Sequence, residues 1–180
     1  MRVRLALLWL LCGWIPVAPA QSLLLGAPAP AFQAITLSGQ HEDSHDWRGR
    51  YVLLAFVASW CPPCRHELPV LARFAAAHRQ HFKLMVVALD EADELGDLRA
   101  MIEGLHLDPA LAQATQAQGY GRIWRLPVSF VIDPQGRLVY NGWNDEHPAW
   151  TAERLASYFK PWLAGQSAAS PEKSVAASPH

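Results

Sequence analysis

The chain has little cysteine, with only Cys12, Cys61 and Cys64 among its 180 residues. Three cysteines are too few for a small domain held together by several disulfides, and a four-thiolate zinc site would need a second close pair. The chain also lacks an excess of either charge, with 15 Lys and Arg against 16 Asp and Glu and no basic block apart from the termini. This balance argues against nucleic acid as a partner.

A long uninterrupted apolar run is missing as well. The first four residues carry two arginines, the apolar stretch 5–17 contains a proline, and the small residues Ala18 and Ala20 follow. This order of charged, apolar and small residues predicts a secretory signal over residues 1–20, because a spanning helix needs about 20 apolar residues. An uncleaved membrane anchor is the second interpretation, and a lipid-modified Cys12 is the third.

The opposite end is polar and poor in large side chains. Residues 165–180 contain no aromatic residue, and Val175 is their only large apolar one. This composition predicts a disordered tail. The remaining segment, 21–164, lies in a chain that is 51% hydrophobic, and it is predicted to form one domain with its own core.

Strand and helix patterns alternate along that segment. The apolar run Tyr51–Val57 has the length of a strand buried on both faces, and a second such run covers 82–89. Between them, apolar residues recur at helical spacing after Cys64, which predicts a strand–helix–strand unit with parallel strands. The other predicted elements are a hairpin over 32–39, a helix over 91–104, a small strand at 105–107, a helix over 110–118, a hairpin over 125–140 and a helix over 149–163.

The two neighbouring cysteines carry the chemistry. Cys61 and Cys64 stand at the predicted start of a helix, with two prolines between them, and at this spacing their sulfurs can form a disulfide. Cys61 lies where the helix dipole is positive, so its thiolate is stabilised and it is the predicted attacking sulfur. Cys64 lies one turn further, is expected to be more buried, and would resolve a mixed disulfide by attacking Cys61.

Two plainer interpretations of the pair stay open. One is half of a metal site completed by histidines, but His78 is more than about four helical turns from Cys61, so the two cannot meet on one straight helix. The other is an inert structural disulfide, which would stabilise little because it closes almost no loop.

Several motifs together resemble the TlpA/ResA-like branch of exported thiol–disulfide oxidoreductases, which have the thioredoxin fold. They are Gly26-x-Pro-x-Pro-x-Phe32, Arg48-Gly49, Trp60-Cys-Pro-Pro-Cys64, Cys64-Arg-His-Glu-Leu-Pro69, Leu126-Pro127 and Val131-Ile-Asp-x-x-Gly136. The resemblance implies an α/β, thioredoxin-like fold with a mixed central sheet flanked by helices. It also implies an N-terminal hairpin and a central insertion after the strand that ends near Asp90.

The resemblance also assigns roles to residues around the cysteines. Pro127 matches a cis proline that faces the cysteine pair, and Leu126 before it occupies a position that contacts substrate in this fold. Glu67 matches an acid that serves proton transfer. Because Cys64 and Glu67 are three apart on one helix face, a partly buried Glu67 with a raised pKa could accept the Cys64 proton. The alternative is an ordinary solvated helix glutamate.

The predicted function is that of a periplasmic thiol–disulfide oxidoreductase without a cofactor. By resemblance, it reduces disulfides in exported proteins, receives electrons from a membrane thiol reductase, and has apocytochrome c as a plausible client. Reduction or oxidation depends on how well the Cys61 thiolate is stabilised, and the sequence leaves this direction open.

Two further hypotheses concern metals and partners. A copper-binding or metallochaperone module of the same fold could use Cys61 and Cys64 with a distant histidine such as His147. Separately, three tryptophans could form a docking surface for a partner: Trp124, Trp143 and Trp150.

Overall fold

The structure is a computed structural model that describes residues 23–147 and 149–169. The predicted signal over 1–20 lies outside these residues, as do residues 170–180 of the predicted tail. The last helix continues to Ala169, so residues 165–169 extend that helix. Among the described residues, no helix combines the length and the apolar character needed to cross a membrane.

Seven strands and three longer helices make up the described part of the chain. The strands are β1 (Gln33–Thr36), β2 (His41–Asp43), β3 (Tyr51–Val57), β4 (Phe82–Ala88), β5 (Ala110–Gln116), β6 (Val128–Ile132) and β7 (Leu138–Asn141). The helices are α1 (Pro62–Ala77), α2 (Leu95–Ile102) and α3 (Ala152–Ala169).

The strands form one mixed sheet in the order β2-β1-β5-β4-β3-β6-β7. Strand β3 pairs in parallel with β4, and helix α1 connects the two strands. This confirms the predicted strand–helix–strand unit. Strand β5 is parallel to β4, whereas the β1–β2, β1–β5, β3–β6 and β6–β7 pairs are antiparallel. The N-terminal hairpin of β1 and β2 and the later hairpin of β6 and β7 are therefore confirmed.

Strand β3 is the centre of the core because both of its faces are covered. Val52, Leu54 and Phe56 pack on one side of the sheet, against the N-terminal segment and loops. Alternate residues of the same strand pack on the other side, against α1 and α3. This double burial explains why the sequence of β3 is an unbroken apolar run.

Two predicted elements are wrong, and the first is the helix predicted over residues 110–118. Ala110–Gln116 forms strand β5, which fills the gap between β4 and β1 with Ala110 paired to both Val87 and Thr36. Alanine and glutamine favour helices locally, but pairing on both sides of the sheet overrides that preference. The small strand predicted at 105–107 is also absent from the described structure, where His106 has a positive φ of 54°.

Helix α3 is fixed to the sheet by an aromatic cluster around Phe159. The Phe159 side chain is 1% exposed, and its ring lies 5.2 Å from that of Phe82 and 5.4 Å from that of Phe74. The ring centre of Tyr51 on β3 is 5.6 Å away. Phe159 therefore joins α3, α1, β3 and β4.

Replacing Phe159 with alanine is expected to lower the free energy of unfolding by about 3 to 5 kcal/mol, because a large cavity would remain where four elements meet. Lys160→Ala changes an exposed neighbour on the same helix and is expected to alter stability by less than about 0.5 kcal/mol. Urea unfolding of both variants measures the difference. Equal effects would show that α3 is not packed as described.

Candidate active site

The two cysteines form a disulfide at the point where β3 leads into α1. Their Cα atoms are 5.3 Å apart, and the bridge joins residues separated by three positions. The N–H of Cys61 donates to the carbonyl of Ala58 at 3.2 Å, which closes a tight turn after the strand. The central strand of the sheet thus places the cysteine pair at the start of a helix.

The start of α1 places a hydrogen-bond donor on the sulfur of Cys61. Pro62 and Pro63 occupy the first two helical positions and have no N–H. The first amide of the helix that can donate is therefore that of Cys64, and it donates to Cys61 Sγ at 3.2 Å. Cys61 is the N-cap residue of α1, where unpaired amides and the helix dipole favour negative charge.

The two sulfurs differ in their access to solvent. Cys64 is fully buried, whereas Cys61 keeps 4% of its surface exposed and lines a groove of about 320 Å³. The expectation that Cys64 is the more buried residue is confirmed. The groove is lined by Trp60, Cys61, Pro62, Pro63, Leu89, Ile123, Trp124, Arg125 and Leu126. A partner molecule can therefore approach Cys61 along this groove.

The peptide bond between Leu126 and Pro127 is cis, as the resemblance implied. Pro127 is buried and immediately precedes β6, whose first residue, Val128, pairs with Phe56 of β3. Because β3 ends one residue later and leads to the cysteines, this pairing holds the cis bond beside the disulfide turn. Leu126 then lines the groove that contains Cys61.

Glu67 is a buried acid on the same helix as the disulfide. It is 5% exposed and lies three residues after Cys64, so both side chains occupy one buried face of α1. Burial raises the pKa of Glu67 to about 7, although the Trp150 N–H that donates to its Oε2 at 3.1 Å and the charge of Arg154 both lower it. The alternative of a solvated glutamate is therefore wrong.

A second buried carboxylate, which the sequence analysis did not single out, holds the turn before Cys61. Asp90 is fully buried at the end of β4, and its two oxygens accept the Ser59 N–H at 3.0 and 3.1 Å. Arg65 of α1 donates to the carbonyl of the same Ser59. An aspartate two residues after a buried strand was the available signal, since a buried polar side chain needs a hydrogen-bond partner.

The three tryptophans predicted to form a docking surface do not share one environment. Trp150 is 2% exposed, and its indole N–H donates to Ser129 Oγ at 2.7 Å, so it is a core residue and that prediction is wrong. Trp143 is half-buried, whereas Trp124 is 70% exposed on the rim of the groove. Trp60, which is 55% exposed, lines the same groove.

The histidine named for a copper site lies elsewhere in the fold. His147 lines a hollow with Tyr140 and Tyr158, apart from the groove that contains Cys61. Within 23–147 and 149–169, no three metal-ligating side chains of the His, Cys, Asp or Glu type lie together. No observation therefore favours the metal-binding alternative.

Comparisons with known proteins agree with this geometry. Residues 25–141 match the AhpC/TSA family. The chain is 25% identical over 166 residues to the thiol-disulfide oxidoreductase ResA of Bacillus cereus, which covers 87% of this chain and 93% of that protein. It is 28% identical to the thioredoxin-like protein YneN of Bacillus subtilis, over 62% of this chain and 66% of that protein.

Solved structures show the same fold. A Chlorobium tepidum protein described as the thiol:disulfide interchange protein DsbE superposes with a TM-score of 0.63 at 25% identity, covering 79% of this chain and 98% of that one. The thioredoxin domain of a thiol-disulfide oxidoreductase from Bacteroides vulgatus gives 0.62 at 25% identity, covering 79% and 99%. The predicted thioredoxin-like fold is confirmed. The chain therefore belongs to the AhpC/TSA family and is a thiol–disulfide oxidoreductase.

Proposed function

We propose that this protein reduces disulfides of exported proteins in the periplasm, using Cys61 and Cys64 as its electron-carrying pair. The observation that carries the proposal is the Cys64 N–H aimed at Cys61 Sγ at the helix start, beside a groove open to solvent. A thiolate at that sulfur is stabilised by the amide and the helix dipole, so Cys61 is both the more reactive and the more accessible sulfur.

The exchange proceeds in two steps and conserves atoms and electrons. The Cys61 thiolate attacks one sulfur of a client disulfide, and the other client sulfur leaves as a thiolate that takes up a proton. Cys64 then loses its proton, attacks Cys61 Sγ and releases the second client thiol. The protein ends with the Cys61–Cys64 disulfide, and the client has gained two electrons and two protons.

Glu67 supplies the base for the second step. The Cys64 thiol is fully buried and cannot lose its proton directly to water, whereas Glu67 lies on the same buried helix face. A carboxyl whose pKa is raised by burial to about 7 is a stronger base than an exposed glutamate, and at neutral pH a large fraction is ionised.

The proposed location and partners rest on the sequence pattern and on this chemistry. A secretory signal over residues 1–20 would deliver the domain outside the cytoplasm, with membrane anchoring as the second possibility. A membrane thiol reductase would return the Cys61–Cys64 disulfide to two thiols, and apocytochrome c, which must present reduced cysteines to haem, fits the proposed client class. The similarity to the thiol-disulfide oxidoreductase ResA supports the exchange chemistry that these partners require.

Separate substitutions of the two cysteines test their roles. Cys61→Ser is expected to abolish exchange with a disulfide-bonded protein substrate, because the accessible nucleophile is lost. Cys64→Ser retains that nucleophile but lacks the resolving thiol, so it should accumulate a covalent mixed disulfide visible by mass spectrometry. Trapping by Cys61→Ser instead would reverse the assigned roles.

The reduction potential of the pair tests the direction of electron flow. A reductase is expected to have a potential nearer to about −270 mV than to about −120 mV. Equilibration with glutathione or dithiothreitol buffers, followed by alkylation and mass analysis, measures this value. A potential close to the oxidising end would contradict the reductase assignment while leaving the exchange chemistry intact.

Glu67→Gln tests the proton acceptor. In the wild type, release of client from the mixed disulfide should slow as the pH falls through about 7, because protonated Glu67 cannot accept the Cys64 proton. At pH 8 the variant should be slower on the order of 100-fold, the lower range for a lost general base, and should lack that inflection. Stopped-flow measurement of client release gives both values.

The matched control is Glu103→Gln, which removes the same charge from an exposed glutamate at the end of α2. It should keep the wild-type pH profile. If Glu67→Gln also keeps that profile, Glu67 is a structural residue only.

A further inference from the structure

An exposed indole on the rim of the groove is held in place. Trp124 is 70% exposed, which is unusual for so large an apolar side chain. Its ring stacks on that of Trp143, with centroids 5.4 Å apart and planes inclined by only 14°. This offset parallel arrangement is a favoured geometry for two aromatic rings.

The support beneath Trp124 is itself anchored to the sheet. The Trp143 indole N–H donates to the carbonyl of Tyr120 at 2.9 Å, and its main-chain N–H donates to Asn141 Oδ1 at 3.1 Å. The Trp143 ring also lies 6.1 Å from that of Phe130 in the core. Trp143 is therefore a fixed platform for the exposed ring.

Arg125 contacts the stacked Trp124 and Trp143 rings and restricts their movement. Its guanidinium carbon lies 5.5 Å from the Trp124 ring centre and 5.8 Å from that of Trp143, within cation–π range. The same guanidinium donates to the main-chain carbonyls of Gly142 and Asp145, the latter at 2.8 Å. These contacts already restrict the rotation of the Trp124 side chain. A ligand that binds against it therefore costs less side-chain conformational entropy.

The position of Trp124 relates it to the reacting sulfur. Trp124 comes from the segment before the cis Leu126–Pro127 bond, whereas Trp60 comes from the turn before α1, and both line the groove that contains Cys61. A polypeptide bound to Cys61 through its own cysteine must place the neighbouring residues over this groove. Its other lining side chains are mostly apolar, including Leu89, Ile123 and Leu126.

We infer that Trp124 is a specificity-determining residue, which favours client polypeptides with a large apolar or aromatic side chain next to the reacting cysteine. This inference rests on the proposed function, because it concerns which disulfides Cys61 attacks. The occupant of the groove is the client segment beside its cysteine. A polar side chain there would lose water without gaining a partner from the indole face.

The test compares two peptide substrates on the reduced full-length protein. Each substrate is a symmetrical disulfide-linked dimer of one short peptide, so attack on either sulfur is equivalent, and the residue beside the cysteine is Phe in one and Ser in the other. Rates are divided by those of dithiothreitol with the same peptides, which removes intrinsic reactivity. The wild type should favour the Phe peptide by about tenfold, as one aromatic contact provides.

Trp124→Ala should reduce this preference to within about twofold of unity, whereas Trp124→Phe should keep most of it. The rate with oxidised 2-mercaptoethanol, which has no side chain to contact the rim, should fall by much less in Trp124→Ala than the rate with the Phe peptide. Leu25→Ala serves as the control, because Leu25 is a 59% exposed apolar residue that lines a different hollow. It should retain the wild-type preference.

The outcomes separate this inference from the function on which it rests. A wild-type protein that exchanges with all three disulfides but does not favour the Phe peptide overturns the inference alone. So does Trp124→Ala if it keeps the preference, or if it loses the small-disulfide rate in equal measure. A wild-type protein that exchanges with none of them overturns the proposed function and this inference with it.

Discussion

The hydrogen bond from the Cys64 amide to the Cys61 sulfur is the contact around which the site is built. It is an N-cap bond, in which the sulfur accepts from the amide of the third helical residue, and Pro62 and Pro63 have no amide protons to compete with that of Cys64. It also depends on the turn after β3, because that turn makes Cys61 the N-cap residue. The doubly covered central strand therefore sets the geometry at the reactive sulfur.

Two buried acidic residues near the cysteines have different roles in this site. Asp90 uses both oxygens on the Ser59 amide and so holds the turn that leads to Cys61. Glu67 accepts the Trp150 amide, and the loss of water around it is the largest influence on its pKa. Asp90 therefore holds the turn in place, whereas Glu67, whose pKa burial raises to about 7, can exchange a proton near neutral pH.

The sequence predicted the parts of the site that depend on local order, namely the buried strand, the helix start and the unequal burial of the two cysteines. The predictions were wrong where contacts between segments distant in sequence determine the structure. Residues 110–118 have helical composition, but 110–116 form a strand between β4 and β1, and Trp150 is buried in the core, where it donates to Ser129. The amide that meets Glu67 comes from 83 residues away, so no local pattern could reveal it.

The proposed exchange requires Cys61 to be the reactive thiol of the reduced protein. Brief treatment of that form with a limiting amount of iodoacetamide at pH 7, followed by peptide mapping, compares the two thiols under identical conditions. Cys61 is expected to be alkylated while Cys64 remains unmodified. Equal labelling of both residues, or earlier labelling of Cys64, would contradict it.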